Sequence, residues 1–304
     1  MATNINQQVL VEEEIDDRNP MDSMPYWARA TNPIVRLHLG LYWRTLPPQI
    51  MPILQITAIW IIIFVVASPF PFMMDMATTI IVVSILVIPL TVVFYVRAMF
   101  VVAADSAAVM SDEIRNKTMP LLMATPMSLE QIFLGKVAAA IWRRMDDLTL
   151  ITQSAAIFGP PLIIMHFAGL FPMQDWGLMS YALIIGMTII SLVRLVVEPL
   201  MFGIIAVTIG AFIPYRSTAI TSSVVIVAFY YLLIFMLHQL NIAEVQLAIE
   251  AVQVASPANL SVANANLAWN ILVLVMIDFV LPIALPLLII KGLMRYTANS
   301  IQAD

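Results

Sequence analysis

The chain of 304 residues is 62% hydrophobic and only 11% charged, with a net charge of -5 and no cysteine. A soluble domain carries about 45 to 50% apolar and about 25% charged residues, so this composition, with a mean hydropathy of +0.95, excludes an ordinary soluble enzyme and describes an integral membrane protein. The acidic surplus comes largely from Glu12, Glu13, Glu14, Asp16 and Asp17, which leaves no basic face for nucleic acid, and the missing cysteines remove disulfides, thiolate metal ligands and thiol catalysis.

Residues 1–30 are polar and acidic, lack the basic start and apolar core of a signal peptide, and read as a flexible, disordered cytoplasmic tail. Asn32 followed by Pro33 is an N-cap with proline at the first helical position. Ile34, Leu37 and Leu41 then recur at helical spacing, flanked by Arg36 and Arg44, which predicts an amphipathic helix lying in the membrane interface within residues 31–47. Six apolar stretches follow, at about 49 to 68, 78 to 103, 148 to 171, 178 to 213, 218 to 238 and 267 to 291. Each meets the roughly 20 residues that a crossing needs, so the expected fold is all-α, with a six-span membrane domain over 48–292.

The fourth stretch would run about 54 Å at 1.5 Å per residue, too long for one perpendicular crossing. It must tilt, protrude or break, and a split at Arg194 to Pro199 gives a competing count of seven spans. Orientation follows lysine and arginine in short loops. Six spans with a cytoplasmic N-terminus put twelve of the fourteen Lys and Arg residues on the cytoplasmic side and none in the outer loops 69–77, 172–177 and 239–266. A seventh span would place Arg216 outside. Both termini are therefore expected inside, with 293–304 as a second cytoplasmic tail.

Gly159, Pro160 and Pro161 are expected to interrupt the third span, and Pro89, Pro199, Pro282 and Pro286 each remove a backbone donor. The plainer reading is that proline is commoner in membrane helices than in soluble ones. No internal repeat points to a duplicated transporter fold. In the outer loop 239–266, Ile242, Val245, Ile249 and Val252 recur at spacings of three and four, predicting a short amphipathic helix before Asn259 that gates the bundle or merely covers it.

Charges inside spans are costly and functional by default. Arg194 and Glu198 are four apart and share a helix face, while Arg97 lies at a depth similar to Glu198 and could pair with it across spans two and four. Asp278 is the deepest charge and has no evident partner in the sequence. These residues could contact substrate or protons; a buried ion pair that fixes packing is the favoured reading of Arg97, Arg194 and Glu198, and Asp278 stays open between the two. His166 and His238 fall near the outer ends of spans three and five, where a facing pair could ligate haem, whereas His38 is interfacial. With no second pair, ordinary histidines are expected and no cofactor in this chain. The 21 methionines fill packing and lipid-facing positions, and no His or Cys cluster supports a metal.

The most informative stretch lies in the segment 104–147 between spans two and three. From Ser111 to Lys136 it reads S-D-E-I-R-N-K-T-M-P-L-L-M-A-T-P-M-S-L-E-Q-I-F-L-G-K. Glu113 to Thr118 is a polar link, Pro120 opens a short helix whose apolar side carries Leu121 and Leu122, and Thr125 with Pro126 ends it. Ser128 caps a second helix that carries Gly135 and Lys136 back toward the membrane. A short helix offered to the cytoplasm can dock a soluble partner; an ordinary interfacial loop is the alternative.

This stretch resembles the membrane subunits of ABC type-2 permeases, whose pattern runs Glu, several polar residues, Thr, a hydrophobic pair, Thr-Pro-hydrophobic-Ser and then Gly-Lys. Glu113, Thr118, Leu121, Leu122, Thr125, Pro126, Met127, Ser128, Gly135 and Lys136 stand at the matching positions. The resemblance extends over most of residues 32–291, through the Asn32-Pro33 opening, the six apolar stretches and the small-residue fourth span that ends in a basic turn, with Gly203, Gly210 and Arg216. It implies that 104–147 holds a coupling helix fitting a groove of an ATP-hydrolysing subunit. It further implies a permease paired with a second copy or a second permease chain, embedded in membrane lipid, in a prokaryotic plasma membrane, exporting an amphipathic or lipid-like substrate. The ATPase would be a separate chain. A phosphate-cradling loop needs Gly, four residues, then Gly-Lys-Ser/Thr, and the only Gly-Lys here, Gly135-Lys136, has Glu130 at the first glycine position and is followed by Val137. The competing expectation is a non-transporting scaffold subunit of a larger membrane assembly.

Overall fold

The computed structural model describes residues 24–29, 31–39, 50–67, 78–257 and 259–303. Residues 1–23 of the acidic tail, Leu41 and Arg44 of the expected interfacial helix, and the expected outer loop 69–77 lie outside these. Eleven α-helices follow in chain order among the described residues: α1 Pro33–Leu39, α2 Ile50–Ala67, α3 Thr78–Arg115, α4 Met119–Met123, α5 Leu129–Trp142, α6 Met145–Leu170, α7 Met173–Trp176, α8 Leu178–Phe212, α9 Arg216–Val254, α10 Leu260–Val275 and α11 Leu281–Ala303. A π-helical turn, Met276–Val280, joins α10 to α11. Five of these helical runs (α3, α6, α8, α9 and α10 continued by α11) are long and apolar enough to cross a membrane, and α2 is a shorter apolar helix. The chain is an all-α membrane protein.

The long helices run up and down around α8, which packs against α3, α11, α6, α9 and α5. Apolar residues cover the outward faces of α3 and α9, where Leu86, Val93, Phe229 and Phe235 are more than half exposed, as hydrocarbon requires. Beside a small cluster of Val35, Leu39, Ala138 and Trp142 between α1 and α5, three larger clusters divide the interior among the described residues. One, around Met99, Ala103, Met201, Phe202 and Val227, occupies the middle. Another, around Phe64, Phe167, Phe171, Leu183 and Val245, closes one end and takes in the C-terminal part of α2. The third, around Ile34, Met110, Phe133, Val137 and Ile204, welds α1, α4 and α5 to α3 and α8 at the opposite end.

Several expectations are corrected here. The fourth apolar stretch is one continuous helix of 35 residues, neither broken nor hairpinned at Arg194 to Pro199. Gly159, Pro160 and Pro161 do not interrupt α6, which stays helical from Met145 to Leu170; both prolines are buried in the bundle, where neighbouring helices hold the backbone in shape. The separate outer helix predicted within 239–266 is instead the continuation of α9, a single helix of 39 residues. Its Ile242, Val245 and Ala248 face inward and Ile249 packs beside them, so the apolar spacing was real but served packing against α10 rather than a surface. On α1, Ile34, Val35 and Leu39 are buried whereas Leu37 is 66% exposed. At 100° per residue Leu37 falls on the far side from Val35 and Leu39, and α5 had already claimed that side.

Candidate functional site

Two regions gather the chain's polar chemistry. The first is the end built by α1, α4 and α5. Asn32 caps α1, its side-chain oxygen accepting from the Ile34 N–H at 2.9 Å. Ser128 and Gln131 cap α5 reciprocally. The short helix expected after Thr118 forms over Met119–Met123 and is braced at both ends: the Thr118 N–H and hydroxyl donate to the Glu113 carbonyl at 3.0 and 3.3 Å, and the Thr125 hydroxyl donates to the Leu122 carbonyl at 2.6 Å. Lys117 turns the chain with φ 55°, a left-handed value unusual outside glycine.

The hydrophobic pair divides. Leu122 packs inward on the cluster around Met119 and Phe133, while Leu121 is 72% exposed and Met123 41%, with Pro120, Ala124, Thr125 and Pro126 exposed beside them. Met127 packs partly against the same interior cluster. Gly135 lies under Ile34, whose Cγ2 would stand 3.3 Å from an added Cβ.

Glu113 and Lys136, known from the sequence only as members of one pattern, form an ion pair. The His38 Nε2 lies 3.4 Å from the other carboxylate oxygen. Burial pushes the fully enclosed Lys136 ammonium down to about 7. Burial, followed by the charges of Lys136 and Arg143, holds His38 down to about 4. Arg143 also donates to the His38 carbonyl, and the Trp142 indole donates to the Ala28 carbonyl at 2.8 Å. Residues 24–29 and 31–39 are thereby locked onto α5. Opposite charges 23 positions apart on either side of a turn were the signal for this cluster; which of several charges would meet needed the fold.

The second region lies inside the bundle. A cavity of ≈ 520 Å³ receives side chains from all five long helical runs, within the range of small-molecule sites. At its edge Glu198, fully buried, accepts from Arg194 Nε at 2.8 Å and Nη2 at 2.7 Å, Tyr95 at 2.9 Å, Tyr231 at 3.1 Å and Tyr230 at 3.4 Å. The carboxylate thus ties α3, α8 and α9 together. Arg97 is not its partner: it is exposed and joins no ion pair among the described residues. Two residues along a helix turn the side chain by about 200°, so with Tyr95 aimed at Glu198, Arg97 points away.

Asp278 sits in the π-helical turn and is 5% exposed. Its Oδ1 lies 2.9 Å from His238 Nδ1, a partner the sequence did not disclose. Its Oδ2 is buried with no hydrogen-bond partner among the described residues. The rings of His166 and His238 approach with centroids 6.0 Å apart. Gly186 admits the Phe279 ring, whose Cε1 would stand 2.5 Å from an added Cβ, and this contact seats the π turn against α8. Comparison of the chain with protein families, curated proteins and solved structures found no match.

Proposed function

We propose that this chain is the membrane-spanning permease subunit of an ATP-driven exporter of the ABC type-2 kind, working with a second permease copy or chain and with separate ATPase subunits. The observation that carries the reading is α4: a short helix held rigid from behind by Leu122, Thr118 and Thr125, with Leu121 and Met123 turned outward. An apolar tip that is braced yet uncovered is suited to a pocket on a soluble partner. Counting α2 as a crossing gives six spans, with α4, α5 and both ends of the chain in the cytoplasm. Lys117, Arg143, Arg216 and Arg295 then share the cytoplasmic side, in keeping with the distribution of basic residues in membrane proteins.

Force applied at α4 has a direct route. Only three residues separate α4 from α3, and α3 continues unbroken for 38 residues, past Tyr95 and its bond to Glu198, along the cavity wall. An ATPase that closes on ATP and pushes α4 would move this rod against α8 and α9, changing access to the cavity.

The test is Leu121→Asp. It charges the tip without entering the bundle, so insertion and folding should persist while co-purification of an ATPase falls by about tenfold or more, as for a central contact residue. Undiminished ATPase association in the variant refutes the coupling role. If the unaltered chain brings down other membrane subunits and no ATPase, the segment serves a scaffold instead.

A further inference from the structure

We infer that the intramembrane cavity is a binding site for an amphipathic amine, with the ammonium head at the Asp278 carboxylate and the apolar body along the helix walls. Arg194 and Glu198 neutralise each other at one edge of the cavity, and the tyrosines around Glu198 leave that carboxylate fully engaged. Asp278 is different. His238 Nδ1 meets only Oδ1, and Oδ2 is left enclosed and without a partner in a residue that lines the cavity. A buried carboxylate with an unused oxygen is costly unless a cation or donor meets it. The π turn that displays it is a distortion often retained at functional positions.

The rest of the cavity explains the body of the ligand. Ile88, Val92, Leu162, Ile163, Ile234 and Ile277 line ≈ 520 Å³, far more room than a proton on Oδ2 would require. An added Cβ at Gly159, on the same wall, meets nothing within 4 Å, so the small residue keeps that side open. An acyl carboxylate would be repelled by Asp278, and an uncharged alcohol would forgo the charge-assisted bond.

As the identity of an exported substrate this rests on the permease reading, but binding belongs to this chain alone and is measured without an ATPase. The full chain in phosphatidylcholine nanodiscs is titrated with radiolabelled dodecylamine, dodecanol and dodecanoate, with empty nanodiscs as background. Saturable dodecylamine binding, at least about tenfold tighter than that of the other two, is expected from one charged hydrogen bond. Asp278→Asn should lose that preference and Asp278→Glu keep it, both eluting as monodisperse protein. If Asp278→Asn does not fold, the three-ligand comparison on the unaltered chain decides. Equal binding of dodecanol, tighter binding of dodecanoate, or full binding by a folded Asp278→Asn overturns the inference. Nanodiscs containing phosphatidylethanolamine separate the sources: competition with dodecylamine makes a membrane lipid the amine, and its absence makes it a free amphiphile; either result retains the site. Amine binding in a chain that docks no ATPase keeps this inference and removes the permease reading, and docking without amine binding does the reverse.

Discussion

Glu198 shows what a buried charge demands of its surroundings. One carboxylate collects donors from Arg194, Tyr95, Tyr230 and Tyr231, and removing it strands a guanidinium beside three hydroxyls. Glu198→Leu alone should cost on the order of 3 to 5 kcal/mol, and the Arg194→Leu, Glu198→Leu double variant should be milder than the sum of the two. Arg97→Leu should add independently to Glu198→Leu. Chemical denaturation of the three single and two double variants in detergent measures both statements, and strong coupling of Arg97 to Glu198 would contradict the geometry. His38 supplies a pH dependence. Its folded value lies near 4 against an ordinary 6.5, so between those values the unfolded chain binds a proton that the folded chain refuses. Stability therefore declines as pH falls through that window. His38→Asn should flatten the thermal-midpoint profile between pH 6.5 and 4; equal slopes would mean that His38 titrates freely in the folded protein.

Helix contacts depend on where side chains are missing. Gly210 lets α8 meet α3 so closely that an added Cβ would lie 2.6 Å from the Ala107 carbonyl oxygen and 3.0 Å from the Met110 Cβ. Backbone cannot yield as a side-chain tip can, so Gly210→Ala should destabilise by about 1 to 3 kcal/mol. A change in unfolding free energy near zero would show that the two helices slide apart at no cost. Gly203 makes an even closer approach to Val137, whose Cγ1, Cγ2 and Cβ would stand 2.3, 3.1 and 3.2 Å from an added Cβ, so rotation about its stiff χ1 gives little relief. Leu122 belongs to the same logic. It resembles Leu121 in sequence, yet its inward packing makes Leu122→Asp a folding lesion, and only Leu121 probes the exposed tip.

Across the whole molecule, the arrangement of charged ends makes the proposed topology measurable. Cysteines placed singly at Asp175 and Glu250 in this cysteine-free chain should react with an impermeant maleimide from outside intact cells. Cysteines at Lys117, Arg216 and Arg295 should react only after permeabilisation. External labelling of position 216 would refute six spans with cytoplasmic ends. The length of α9 bears on the same question: 39 residues reach about 58 Å at 1.5 Å per residue, so Glu250 near its end should stand clear of the hydrocarbon.

Composition and apolar run length were enough to make this an all-helical membrane chain, because hydrocarbon leaves the backbone no other open solution than the helix. Local chemistry placed the short helix after Thr118 and the caps at Asn32 and Ser128, since capping needs only neighbours in sequence. The Arg194 and Glu198 pair was legible for the same reason, four residues on one helix face. Everything that required two helices to meet was decided by tertiary packing: Tyr95 rather than Arg97 on Glu198, His238 on Asp278, Lys136 on Glu113, and Leu121 outward with Leu122 inward. A hydropathy profile gives depth along a helix and leaves its rotation free, and rotation selects which of two side chains at similar depth reaches the partner.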